Sequence, residues 1–407
     1  MPSPSSYIPR AIEKVLRRAA REFPAVVLTG PRQSGKTTLL RKVFGDTHRY
    51  TSLEAPDIRA AAAADPRGFL AAHAPPVLFD EVQYAPDLLP FIKEAIDDHR
   101  TRRGQYLLTG SQNLLLTAAV SESLAGRAAM LRLLALSQRE MGGLAPRPLP
   151  WESRGPAVRA SWPGPLWSGV LRGGFPELAI EPSRNISLWH ASYVHTYLER
   201  DVRGLRQIGD LTQFQSFLRV LAARSGQLLN LTDISRDIGL TVNTAKAWLS
   251  VLEATYQVMV LRPYFANTGK RLVKTPKVYF TDTGTLCYLA GLKDPEHAAS
   301  GPMAGAIFET AVLMEVVKAV LARGEDPQVY FWRTSTGTEV DLVVETEGAL
   351  VPIEIKATAT PRPAMAHGIL AFRKDFPRRS TAGFVIHGGD IRLPMGSGVM
   401  AVPFGAI

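Results

Sequence analysis

The segment Gly30-Pro31-Arg32-Gln33-Ser34-Gly35-Lys36-Thr37 constrains this chain more than any other. A Gly, four free positions and Gly-Lys-Thr form the P-loop pattern, and the pattern carries meaning only between a strand and a helix. Both flanks agree. Ala25 to Thr29 is a short apolar run of strand length, and Thr38 to Val43 reads as the start of a helix. A phosphate chain needs backbone N–H groups aimed at it, and a helix N-terminus supplies them with a favourable dipole. Gly30, Ser34, Gly35, Lys36, Thr37 and Thr38 are therefore the expected cradle for ATP. The Lys36 ammonium would reach the terminal phosphates, and the Thr37 hydroxyl would help hold Mg²⁺.

A second signal lies downstream. Val77-Leu78-Phe79-Asp80-Glu81 is an apolar strand ending in two carboxylates, the Walker B pattern. Asp80 would orient Mg²⁺ and its waters, and Glu81 would polarise the attacking water. Gln105 to Asn113 reads as another buried strand with a polar end, where Ser111 or Gln112 would sense the terminal phosphate. Arg127, or Arg132 as a second choice, is placed to act as an arginine finger across a subunit boundary. Met130 to Leu136 is expected to be the last core strand. Before the P-loop, Arg10 to Phe23 is an amphipathic helix with Ile12, Val15, Leu16, Ala19 and Phe23 on one face.

Gly30 to Thr37, Asp80-Glu81, Thr109-Gly110-Ser111 and Leu124-Ala125-Gly126-Arg127 together resemble the AAA-superfamily ATPases of bacteria and archaea that carry a C-terminal region of long-unknown function. The likeness extends over essentially the whole chain. It implies an α/β fold: an AAA-type P-loop NTPase with a parallel sheet and helical lid, then a winged helix, then a C-terminal α/β nuclease-like domain. Pro176, in the turn Gly174-Phe175-Pro176, is similar to a proline that related signalling ATPases set beside the adenine. Glu199 to Arg203 resembles the family's lid motif, in which Arg200 or Arg203 would contact nucleotide. The expected boundaries are 1–144 for the ATPase core, 145–208 for a proline-rich connection and lid, 209–295 for the winged helix and 296–407 for the nuclease-like domain.

The lid helix is expected over Trp189 to Arg206. Farther on, Leu231 to Thr241 has the form of a helix-turn-helix, with Thr232 capping one helix, Gly239 making the turn and Thr241 capping Val242 to Glu253. Ala245, Trp248, Leu249 and Leu252 form the buried stripe, leaving Thr244 and Lys246 outward as in a recognition helix. Val258 to Leu261 and Val278 to Phe280 are expected to pair. Arg262, Lys270, Arg271, Lys274 and Lys277 lie between or beside them without an acidic residue, as a DNA-binding wing requires. A winged helix also serves protein–protein contacts, and that reading stands beside the first. In the last quarter, Asp341 on one strand and Glu354 and Lys356 on its hairpin partner, with Glu309 from a helix, resemble the metal site of restriction endonucleases. The copy is either active or silent.

The chain has 407 residues, 46% hydrophobic and 21% charged, enough for about two or three packed domains. A net charge of +10 favours a polyanionic partner, DNA before a membrane surface. Cys287 is the one cysteine, which excludes an internal disulfide and a cysteine-based zinc site and suits a cytoplasmic setting. No apolar run approaches membrane-spanning length, and no signal peptide or internal repeat is evident. Three functions remain: a DNA-remodelling ATPase acting as a ring or stack, with a hexamer expected; an ATP-licensed, metal-dependent nuclease; and a nucleotide-switched regulatory platform.

Overall fold

The computed structural model describes residues 7–111, 123–152, 164–198, 211–265 and 273–407. Its N-terminal sheet contains β1 (Ala25–Thr29), β2 (Arg49–Ser52), β3 (Val77–Asp80), β4 (Tyr106–Gly110) and β5 (Ala128–Arg132), all parallel, in the order β2-β3-β4-β1-β5. Every residue of β1, β3 and β4 is buried, as expected for a parallel sheet covered on both faces. Strand alternation sorts the two cores. Val26 and Leu28 pack with Ile12, Leu16, Leu39 and Leu40, whereas Ala25 and Val27 pack with Phe79, Leu88, Ile92 and Ile96. The helices on these faces are Glu13–Glu22 and Lys36–Phe44 on one side and Leu88–Asp98 on the other.

β5 begins two residues before the expected start because Ala25–Thr29 pairs in register with Ala128–Arg132. It is an edge strand, so Met130 is left 44% exposed. Leu133 continues the ladder by one bond, its N–H donating to Thr29 O at 2.8 Å. This close approach explains Gly30. A Cβ there would sit 2.0 Å from the Leu133 carbonyl oxygen.

The helix Ile186–Tyr193 runs on as one π-type turn over Val194–Leu198, and the rest of the expected lid helix lies outside the described residues. The helix-turn-helix is present as Leu231–Ile238 and Val242–Ala254. Gly239 takes φ +68° at the turn, and Thr241 accepts from Thr244 N at 3.1 Å. The cap of the first helix is a correction. Asn230, not Thr232, accepts the N–H groups of Thr232 and Asp233 at 3.1 and 3.2 Å, since Leu231 is already the first helical residue.

β6 (Val258–Leu261) and β7 (Lys277–Phe280) pair antiparallel. The described residues on either side of 266–272 are pinned to the C-terminal domain. Tyr264 N donates to Phe331 O at 2.7 Å, Phe331 N to Arg262 O at 3.2 Å and Val273 N to Arg333 O at 3.1 Å. That domain holds β8 (Val329–Arg333), β9 (Glu339–Thr346), β10 (Ala349–Lys356), β11 (Gly383–His387), β12 (Leu393–Gly396) and β13 (Val399–Pro403), in the order β12-β13-β11-β10-β9-β8. The helix Ala304–Leu321 packs on β10; it is apolar nearly all round and correspondingly buried. One apolar core runs from Leu134 through Phe214, Trp248 and Phe308 to Ile407. The helix Ile186–Tyr193, the helix-turn-helix and the C-terminal sheet therefore share it. No helix among the described residues is long and apolar enough to cross a membrane.

Candidate functional site: a nucleotide cradle and a charged cleft

The P-loop leaves β1 at Gly30 and enters its helix at Gly35, which takes φ +90°. Lys36 is 4% exposed and donates to Gly30 O at 3.0 Å and Pro31 O at 2.9 Å. Thr37 Oγ1 donates to Asp80 Oδ1 at 2.8 Å, which unites the two motifs. Thr38 is exposed on the first helical turn. Ser34 is fully buried, and its hydroxyl has no protein partner among the described residues. The Pro176 ring lies 3.5 Å from where a Cβ on Gly35 would be, which sets that turn beside the loop. Arg10 braces the loop from behind. It donates to Ser34 O at 2.9 Å and Leu134 O at 2.8 Å and pairs with Glu140 at 3.0 Å. Glu140 also accepts from Ala11 N and Ser137 N, both at 2.8 Å.

The carboxylates at the end of β3 are individually held. Asp80 accepts from Tyr50 at 3.0 Å and from the Thr109 hydroxyl. Burial, then the Asp80 charge, pushes the Tyr50 phenol up to about 12. Glu81 sits at φ +57°, its N–H donating to Thr109 Oγ1 at 3.0 Å. Its Oε2 accepts from Ser111 at 3.1 Å and from Gln83. Gln112 lies outside the described residues. Two hard oxygen donors in contact, Thr37 and Asp80, are a suitable pair for Mg²⁺, which keeps several waters and takes few protein ligands.

Arg127 is at the far end of β5 from the P-loop, roughly 16 Å away at the usual rise per residue. It is clamped to Asp97 at 2.8 and 2.9 Å. Arg132 is paired with Asp326. Arg200 and Arg203 lie outside the described residues. In the helix-turn-helix, Thr244 shares a 2.8 Å hydrogen bond with Thr241 while Lys246 is exposed. Lys274 is exposed, and Lys270 and Arg271 lie outside the described residues.

Glu309, Asp341, Glu354 and Lys356 are brought together in a cleft of about 870 Å³, with Lys277, Arg333 and Glu339 beside them. Lys277 is the second correction. It is not a wing cation but is 4% exposed, pairing with Glu309 at 3.1 Å and Glu339 at 2.5 Å. Lys356 pairs with Glu354 at 2.7 Å and Asp341 at 3.3 Å. Burial pushes the Glu309 carboxyl up to about 7, with Lys277 opposing and Asp341 adding to the rise. Burial and the neighbouring Asp341 charge push Glu354 up to about 8, against the pull of Lys356. Among the described residues, no group of three or more His, Cys, Asp or Glu side chains is arranged to hold a metal ion.

Sequence reasoning misses roles for Arg10, Tyr50, Gln83 and Thr109 in the cradle, and for Lys277, Tyr279 and Glu339 in the cleft. Two signals could have found some of them. Thr109 lies two residues before Ser111, on the same side of β4. Lys277 and Tyr279 alternate on one face of an otherwise apolar strand, and both reach Glu309.

Residues 22–142 match an AAA domain, and residues 166–296 and 304–407 match two domains of unknown function. Uncharacterized proteins of Mycobacterium tuberculosis and Mycobacterium bovis are each 33% identical to this chain over 389 residues, spanning 95% of it and 82% of their own length. A Walker-type ATPase of Pyrococcus abyssi is 15% identical, with a TM-score of 0.47, over 70% of this chain and 97% of that one.

Proposed function

The chain belongs to the same family as the two mycobacterial proteins, and on the premise of its AAA domain we propose that it is a DNA-binding ATPase that couples ATP hydrolysis to moving or remodelling DNA as an oligomer. The observation that carries this reading is the pair of carboxylates ending β3. Asp80 touches the P-loop hydroxyl, and Glu81, one residue on, is held by Ser111 and Gln83. One acid is placed for a metal and the next for water, which is what hydrolysis needs beyond binding. Mg²⁺ held by Thr37 and Asp80 would neutralise the oxygens of the terminal phosphates. Ser111 bridges Glu81 and Gln83, so it can register the presence of the last phosphate.

Arg127 would complete a neighbouring subunit's site in a ring or stack, since its own site is a strand-length away. The DNA part rests on the exposed start of the Val242–Ala254 helix, on Lys246 and Lys274, and on the +10 charge. A mechanical link supports coupling. Tyr256, at the end of that helix, donates to Thr29 Oγ1 at 2.7 Å, one residue before the P-loop. Branched DNA is a suitable substrate to include in tests.

Glu81→Gln should bind ATP normally but lower turnover about 10²- to 10⁴-fold. The parent protein should hydrolyse ATP faster with single-stranded, duplex or four-way DNA than without. Turnover at one rate in all conditions, with no DNA retained at low salt, would favour the regulatory-platform reading and remove DNA from this proposal. Cleavage of the DNA in the same tubes with Mg²⁺ or Mn²⁺ would favour the nuclease.

A further inference from the structure

β9, β10 and the helix Ala304–Leu321 gather carboxylates as a divalent-metal site would, but the contents of the cleft do not fit a metal. Lys277 enters from β7, a strand of the separate β6–β7 hairpin. Its ammonium lies between Glu309 and Glu339 and 5.4 Å over the Phe331 ring. Tyr279, two residues on, donates its hydroxyl to Glu309 as well. On the opposite side Lys356 lies between Asp341 and Glu354, and Asp341 Oδ2 also takes the Ile355 N–H at 2.8 Å. Arg333 adds a bond to Glu339 at 2.8 Å. Each of the four carboxylates thus already carries an ammonium, and the one buried carboxylate oxygen in the cleft without a hydrogen-bond partner among the described residues is Glu354 Oε2. A hard divalent cation binds through such carboxylate oxygens, and at Glu309 and Glu339 it would have to displace Lys277, which is buried with them and tied to the chain.

We infer that Lys277 is a tethered counter-cation that occupies this site in place of a divalent metal, and that it clasps the β6–β7 hairpin to the C-terminal sheet. A metal ion lost from a site diffuses away, whereas an ammonium on a docked strand remains at a high local concentration. The site is therefore metal-free while the hairpin is docked. This inference does not depend on the ATPase reading, because it concerns a different cleft and holds whatever the AAA domain does.

The test is Mn²⁺ binding, followed by electron paramagnetic resonance on chelator-treated full-length protein without nucleotide. A Thr37→Ala background removes any contribution from the P-loop. The protein with Lys277 intact should take no Mn²⁺ in the cleft, and Lys277→Arg, which keeps the charge, should behave identically. Lys277→Met leaves Glu309 with Tyr279 but no cation and Glu339 with Arg333 alone, and should gain a single Mn²⁺ per chain, lost again in Lys277→Met/Asp341→Asn. The inference is overturned if the Lys277 protein binds Mn²⁺ and Asp341→Asn abolishes that binding. It is also overturned if Lys277→Met, with unchanged circular dichroism, binds none. Should Lys277→Met fail to fold, the Lys277 protein with and without Asp341→Asn decides alone: Mn²⁺ lost on that change refutes the clasp, and an empty cleft in both supports it.

Discussion

Arg10→Met tests whether the brace behind the P-loop has the energetic weight its burial implies. Arg10 and Glu140 have side chains 6% and 9% exposed and are 3.0 Å apart. Removing the guanidinium leaves Glu140 its two backbone N–H donors but no cation. Stranding one partner of a buried ion pair costs about 3–5 kcal/mol. The carbonyls of Ser34 and Leu134 lose donors in the same step, at about 1 kcal/mol each. Burial pushes the Glu140 carboxyl up, but Arg10 and the N–H groups of Ser137 and Ala11 outweigh it, so the group sits below the usual carboxylate range. A depressed carboxyl stabilises the fold at neutral pH, and that contribution is lost as pH falls through its folded value. In Arg10→Met the burial effect meets less opposition and the carboxyl rises. The gap between parent and variant should therefore narrow on acidification. The assay is a double-mutant cycle with Glu140→Gln, read from urea unfolding of the whole chain at several pH values. The double variant should be less destabilised than the sum of the singles. Additivity within about 0.5 kcal/mol, or a gap that does not change with pH, would refute the reasoning.

Two other outcomes are expected from the same structure. Thr109→Val removes the hydroxyl that donates to Asp80 and receives the Glu81 N–H, so apparent Mg²⁺ affinity or ATP turnover should fall about 10- to 100-fold, measured by Mg²⁺ titration of ATPase activity. Combined reversal of Lys270, Lys274 and Arg271 to Glu should weaken DNA binding and lower its salt slope by about one for every phosphate no longer neutralised, as followed by fluorescence anisotropy; an unchanged slope would remove the segment from the interface.

The parts of this protein legible in its sequence are those in which one stretch of chain contains its own explanation. Gly30 to Thr37 specifies strand, loop and helix locally, and the apolar run before Asp80 identifies a buried strand without reference to any other. The hairpin around Glu347-Gly348 is equally plain, because both residues take positive φ between two alternating strands. What escapes is what depends on distant partners. Arg10 reads as one more cation on an amphipathic helix until Glu140 is folded against it. Lys277 reads as a wing lysine because no acidic residue lies between Val258 and Phe280, and its partners lie 32 and 62 residues on. The start of β5 is misplaced from sequence because edge-strand register is set by β1 and not by the apolar content of Leu133 to Leu136.

The core running unbroken from Leu134 to Ile407 has a practical consequence for anyone who would dissect this protein. The pattern of matched segments invites a cut near Gly301, but such a cut would bare Phe308, Val312 and Phe331 on one piece and Phe217, Trp248 and Tyr279 on the other. Fragments with such raw apolar faces stick to one another or to whatever protein is at hand. Binding seen with an isolated C-terminal piece would then report the wound rather than the protein.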